Sequence, residues 1–125
     1  MAEATYKILL FMKRRPDISV QAFRDYYENH HAPFCEKYST SVDRYIRRYI
    51  EPKPHPETGP AAEFSFDVIT ELWFKDKTTF DGTLNYITTN IMPAEVVADE
   101  RQLFDRASFR IATVVECESD LSKIR

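Results

Sequence analysis

The chain has 125 residues, with 17 Lys+Arg against 20 Asp+Glu, a formal net charge of −3, 43% hydrophobic residues and only two glycines, Gly59 and Gly82. A chain of this length and composition is expected to fold as one globular domain spanning residues 1–125. Two isolated glycines exclude a phosphate-cradling loop or a dinucleotide fingerprint, and a slightly acidic chain offers no electrostatic reason to expect nucleic acid.

No apolar run approaches the roughly 20 residues a bilayer crossing needs. The N-terminal MAEATYK lacks a basic segment followed by an apolar one, so a cytoplasmic protein is expected. Cys35 and Cys117 form no CxxC pair and are read as two buried thiols. His30 and His31 are adjacent, and neighbouring helical side chains diverge by about 100°, so no metal site is read there.

In chain order, residues 6–13 (YKILLFMK) read as a central strand. Ser19 is a good N-cap, and Val20, Phe23, Tyr27 and His30 or His31 recur at steps of three and four, the stripe of an amphipathic helix. Pro33 is expected to kink or end that helix and to bias Ala32 away from helical geometry. Residues 44–51 (RYIRRYIE) read as a strand with one wet face. Residues 52–63 hold four prolines and a glycine and must be a loop. Residues 66–74 (FDVITELWF) are the clearest strand. Alternation puts Asp67, Ile69, Glu71 and Trp73 on one face and Phe66, Val68, Thr70, Leu72 and Phe74 on the other. Asp76 can cap a helix to about Thr89, and Pro93 can open a short one at PAEVVADERQLF. Residues 108–116 (SFRIATVVE) read as the last strand.

The order β-α-β-β-α-α-β predicts a ferredoxin-like α+β fold, a four-stranded antiparallel sheet with helices on one face. The other face would be bare and apolar, so a homodimer that buries it is expected.

Three stretches resemble a known family: residues 13–34 (KRRPDISVQAFRDYYENHHAPF), 66–74 (FDVITELWF) and 98–105 (ADERQLFD). They are similar to the EthD-like family of the dimeric α+β barrel superfamily. The signature RRPD-(I/L)S-x-x-x-F-x-x-Y-(Y/W)-x-x-x-H-A-P is its specific part. The D-x-x-x-E-x-W-F strand and the D-E-x-x-x-F-D segment agree with it in order. The resemblance implies a dimeric α+β barrel with a small cofactor-free pocket between sheet and helices, worked by a His or a carboxylate. One departure is visible: Asp67-Val68 stands where relatives often carry Asp-Gly, and the added side chain could change strand packing or narrow a nearby pocket.

His31, the histidine of the H-A-P motif, is the first candidate acid/base, because imidazole exchanges protons near neutrality. Its place at a helix end would also favour the cationic ring. Tyr27 could donate a hydrogen bond to a developing oxyanion, though a tyrosine on a helix stripe is more often core. Asp67 and Glu71, about 13 Å apart along a strand, cannot share a proton. Each could act alone beside Trp73, or be tied to Arg44, Arg47 or Arg48 across the sheet. His30, Trp73, Phe23 and Phe34 complete the expected substrate-binding set. Asp99, Glu100 and Asp105 are read as surface, capping or interface residues. Arg14 and Arg15 read as an anion hook or as partners of carboxylates at a strand end.

The expected function is a cofactor-independent lyase, cyclase or isomerase. It would decarboxylate or cyclise a small aromatic or polyketide-like metabolite by His acid/base chemistry. The alternative is a non-catalytic dimer that binds a hydrophobic metabolite. A cavity lined by both His31 and a carboxylate would favour the enzyme.

Overall fold

The structure, a computed structural model, describes residues 6–125. The reading of the N-terminus therefore falls mostly on residues outside those described. Four strands, β1 (Lys7–Arg14), β2 (Arg44–Tyr49), β3 (Val68–Trp73) and β4 (Phe104–Thr113), form one antiparallel sheet in the order β2-β3-β1-β4. This is the ferredoxin-like arrangement, with β1 and β3 central. No helix among the described residues is long and apolar enough to cross a membrane.

The first helical stretch runs through α1 (Val20–Tyr26), a wider π winding over Tyr27–His31, and α2 (Ala32–Glu36). Ser19 caps α1 by accepting from the Ala22 N–H. The expectation that Pro33 stops the helix does not hold. Ala32 is helical, at φ −63° and ψ −49°, and its N–H reaches the Tyr27 carbonyl five residues back. Pro33 has no N–H to donate, and its ring crowds the carbonyl four residues earlier. The π winding just before it is the local adjustment that lets the helix continue. His31 therefore lies mid-helix, and the helix-end electrostatics expected for it do not apply.

α3 (Lys77–Thr89) starts where expected, with Asp76 accepting from the Thr79 N–H. α4 (Ala94–Arg101) follows Pro93. β4 begins four residues earlier than its sequence suggests. Its mixed opening, FDRAS, pairs with the end of β1 through Phe104 and Asp105, and the register then shifts. Ser108 Oγ fills the gap by accepting from the Lys13 N–H at 2.9 Å. In the loop before β3, Gly59 sits at φ +99° and closes a backbone bridge with His55, a conformation that favours glycine.

The helices cover the face bearing Met12, Val68 and Thr70. The buried core there holds Met12, Phe23, Tyr27, Ala32, Val68, Leu103 and Phe104. Val68, the departure from the family pattern, is fully buried in this core. Phe66 departs from the strict alternation: it precedes β3, and its ring packs on Phe11 at 5.3 Å, on the side away from the helices. Cys117 is exposed rather than buried, while Cys35 is half-buried; both are free.

Candidate functional site

Between the covered sheet face and the helices lies a cavity of about 660 Å³, within the usual range for a small-molecule site. Leu10, Met12 and Leu72 form its sheet-side floor, and Tyr86, Ile87, Met92 and Val96 its apolar wall. The polar groups are set into this surface. Tyr27, His31 and Cys35 come from the first helical stretch, Tyr45 from β2, Thr70 from β3, Glu100 from α4 and Arg106 from β4.

The π winding decides which histidine looks inward. His31 is buried and lines the cavity, while His30 is exposed and stacks on Tyr26 with ring centroids 5.0 Å apart. The His31 ring meets Tyr27 and Phe104 edge-on at 5.1 and 5.4 Å. Its Nδ1 lies 2.6 Å from Asp99 Oδ2, and Tyr26 donates to Asp99 Oδ1 at 2.6 Å. A carboxylate only accepts, so Nδ1 carries the hydrogen and Nε2 is the bare nitrogen of the neutral ring. Nε2 in turn meets Cys35 Sγ at 3.4 Å. Burial, with Glu100 and Asp99 nearby, pushes the Cys35 thiol up to about 12. It therefore stays protonated, a weak donor facing Nε2.

A second polar group is a cluster of hydroxyls. Tyr27 OH lies 2.6 Å from Thr70 Oγ1 and 3.3 Å from Tyr45 OH. Burial raises Tyr27 to about 12 against the hydrogen bond from Thr70, and burial likewise raises Tyr45. Both phenols keep their protons and can donate them. The third is an ion pair in the wall, Glu100 with Arg106. Burial raises the Glu100 carboxyl, outweighing the hydrogen bond and charge of Arg106.

The other expected site residues lie elsewhere. Phe23 is core, packed edge-on against Tyr27, Tyr49 and Phe104. Phe34 packs on Tyr38 at 5.6 Å, outside the cavity lining. Asp67 is held at a strand end, where it accepts from the Arg14 guanidinium at 2.8 Å and the Arg14 backbone N–H at 2.9 Å. Arg15 pairs with Asp17 at 2.7 Å. Glu71 and Trp73 point to the sheet's other face. There Arg48 and the Trp73 indole donate to Glu71 at 2.6 and 2.8 Å. Burial would raise Glu71, but Arg48, Trp73 and Lys7 outweigh it and hold the carboxyl below its ordinary range. Lys7 and Arg44 sit over the Trp73 ring at 3.8 and 4.6 Å.

Thus the structure unites His31 and Tyr27 and separates them from Asp67, Glu71 and Trp73. It adds Asp99, Glu100, Tyr45, Thr70, Cys35 and Arg106. The ADE run at residues 98–100 was the one available signal for the two new carboxyls. Among the described residues, no group of three or more His, Cys, Asp or Glu could hold a metal ion.

The EthD domain model matches residues 15–107. Among solved structures, an ethyl tert-butyl ether D (EthD) family protein from Bacillus halodurans C-125 is 19% identical, with 87% of this chain and 98% of that one covered and a TM-score of 0.49. An EthD-like protein from Ralstonia eutropha JMP134 is 16% identical, with 90% and 95% covered and a TM-score of 0.51. HapK from Hahella chejuensis is 13% identical, with 91% and 97% covered and a TM-score of 0.48. No curated protein matches the chain. At these identities the structural likeness is one of fold.

Proposed function

This chain belongs to the EthD domain family, and on that premise we propose that it is a cofactor-independent lyase, cyclase or isomerase acting on a small aromatic or polyketide-like molecule. The observation that carries the reading is His31: buried in the cavity wall, with Nδ1 held by Asp99 and the bare Nε2 on the side of the Cys35 thiol. An imidazole fixed by a carboxylate in this way is oriented for proton transfer at its other nitrogen.

Neutral Nε2 takes a proton from carbon next to a substrate carbonyl; after taking a proton from solvent, the imidazolium gives it to an enolate left by loss of carbon dioxide. Charge then develops on the carbonyl oxygen. The Tyr27, Tyr45 and Thr70 hydroxyls stand ready to donate to that oxygen, with their protons kept by burial. The apolar floor holds the ring and keeps water from competing. Asp99 is a positioning residue, acting through His31.

We place this activity in a homodimer and in the cytosol. Leu9, Phe11, Ile46, Ile69 and Trp73 lie half-buried on the sheet face away from the helices, an apolar surface suited to a second copy. Two free cysteines fit a reducing compartment.

The test is turnover of a panel of small aromatic β-keto acids and linear poly-β-ketones by wild type and His31→Ala. The expected loss on substitution is about 10²–10⁴-fold, the usual worth of a positioned acid/base. Equal turnover by the two proteins would overturn the mechanism. Panel members bound but returned unchanged by wild type would favour a non-catalytic binding module.

A further inference from the structure

Two arginines line the cavity, and the proton chemistry above uses neither: Arg110 is exposed and spends Nη1 on the Ala107 and Phe109 carbonyls, while Arg106 is half-buried. It comes from the irregular part of β4, after the register with β1 has shifted. Two neighbours fix its guanidinium. Nη1 is taken by Glu100, and the Phe109 ring lies beneath it, 5.3 Å from Cζ. Only Nη1 is engaged in a hydrogen bond among the described residues, so Nε and Nη2 keep their N–H groups. The Arg106 side chain is 33% exposed while that of Glu100 is 11% exposed. The cation is thus the more exposed member of the pair. Tyr27, Tyr45 and Thr70 add uncharged polar groups to the same lining.

Arginine is the side chain suited to a planar two-oxygen anion, because its remaining donors form a fork. A fork held by a carboxylate and an aromatic ring loses less freedom on binding. We propose that the cavity takes an aromatic acid, with the carboxylate received by Arg106 and the ring lying over the apolar floor toward His31. The proposal rests on reading this cavity as the substrate site and adds the substrate's charge class and the residue that selects it. Glu100 plays a second part here. It competes with the ligand carboxylate for one guanidinium, so it limits affinity while keeping Arg106 in place.

The test compares two probes of one shape, 2-naphthoate and the neutral 2-naphthamide, by titration calorimetry. Wild type is expected to bind the carboxylate about tenfold more tightly than the amide, the scale of one charge-assisted contact. Arg106→Gln should abolish the preference, and Arg106→Lys should retain part of it. Glu100→Gln, which frees the guanidinium, should tighten 2-naphthoate and leave 2-naphthamide unchanged. That gain cannot come from damage to the fold. His31→Ala should keep the preference, so loss of turnover and loss of charge selection are read separately. Equal affinity of wild type for the two probes, or no tightening in Glu100→Gln, would overturn the Arg106 role alone. Failure of both probes to bind would overturn the cavity as an aromatic site and the proposed function with it.

Discussion

The two faces of the sheet put similar residue types to opposite uses. On the outer face, Glu71 accepts from Arg48 and Trp73, and Trp73 lies between Lys7 and Arg44. Against the burial that would raise it, Arg48 pairs with Glu71 at 2.6 Å and holds its carboxyl below the ordinary range. On the helix face, Glu100 is buried with one arginine and its carboxyl is pushed up, while Asp99 is spent on orienting His31. Matched charges near water stabilise locally and stay inert. Partly matched groups in a dry cavity are the ones available for chemistry. An acid and an aromatic side by side on a strand here form a charge network on the face away from the cavity.

The largest effect should come from breaking the outer face. Ile69→Lys places a charge among the apolar side chains proposed to meet a second copy. Sedimentation equilibrium should show wild type at twice the 14.7 kDa chain mass and the variant at one chain mass. Wild type already at one chain mass would remove the dimer.

A smaller effect sharpens the contrast between the two carboxyls. Glu71 is lowered in the folded state, so its contribution is present above the unfolded value and is lost as pH falls. Glu100 is raised, so its contribution is present below the unfolded value and is lost as pH rises through the folded one. Denaturant unfolding of wild type, Glu71→Gln and Glu100→Gln should be followed from neutrality to about pH 3, below the ordinary glutamate range. Wild-type stability relative to Glu71→Gln should grow with pH, and relative to Glu100→Gln it should shrink. Slopes of the same sign would show that the two environments do not differ as described.

The fold was legible because its signals are local. Ser19 and Asp76 cap the helices they were expected to cap, and the alternation of VITELW carries through β3. One motif singled out His31 and Tyr27, and another held Asp99 and Glu100 without showing what they face. Asp99 is 68 residues from His31, and no periodicity connects a short helix to a distant imidazole. The choice between His30 and His31 depended on a π winding, set by Pro33, that a 3.6-residue period does not describe. The start of β4 was missed because a bulged strand with Asp105 and Arg106 inside it shows no alternation. Glu71 was open to two readings in the sequence, and in the structure it is paired with Arg48 at 2.6 Å.

Asp99 holds His31 so that Nε2, the nitrogen beside the Cys35 thiol, is the bare one. Long-range ¹H–¹⁵N correlation of the neutral His31 ring tests it directly, in wild type and Asp99→Asn. The wild-type proton is expected on Nδ1, with Nε2 giving the signal of an unprotonated nitrogen, and that preference should weaken in Asp99→Asn. A wild-type ring with its proton on Nε2 would contradict it.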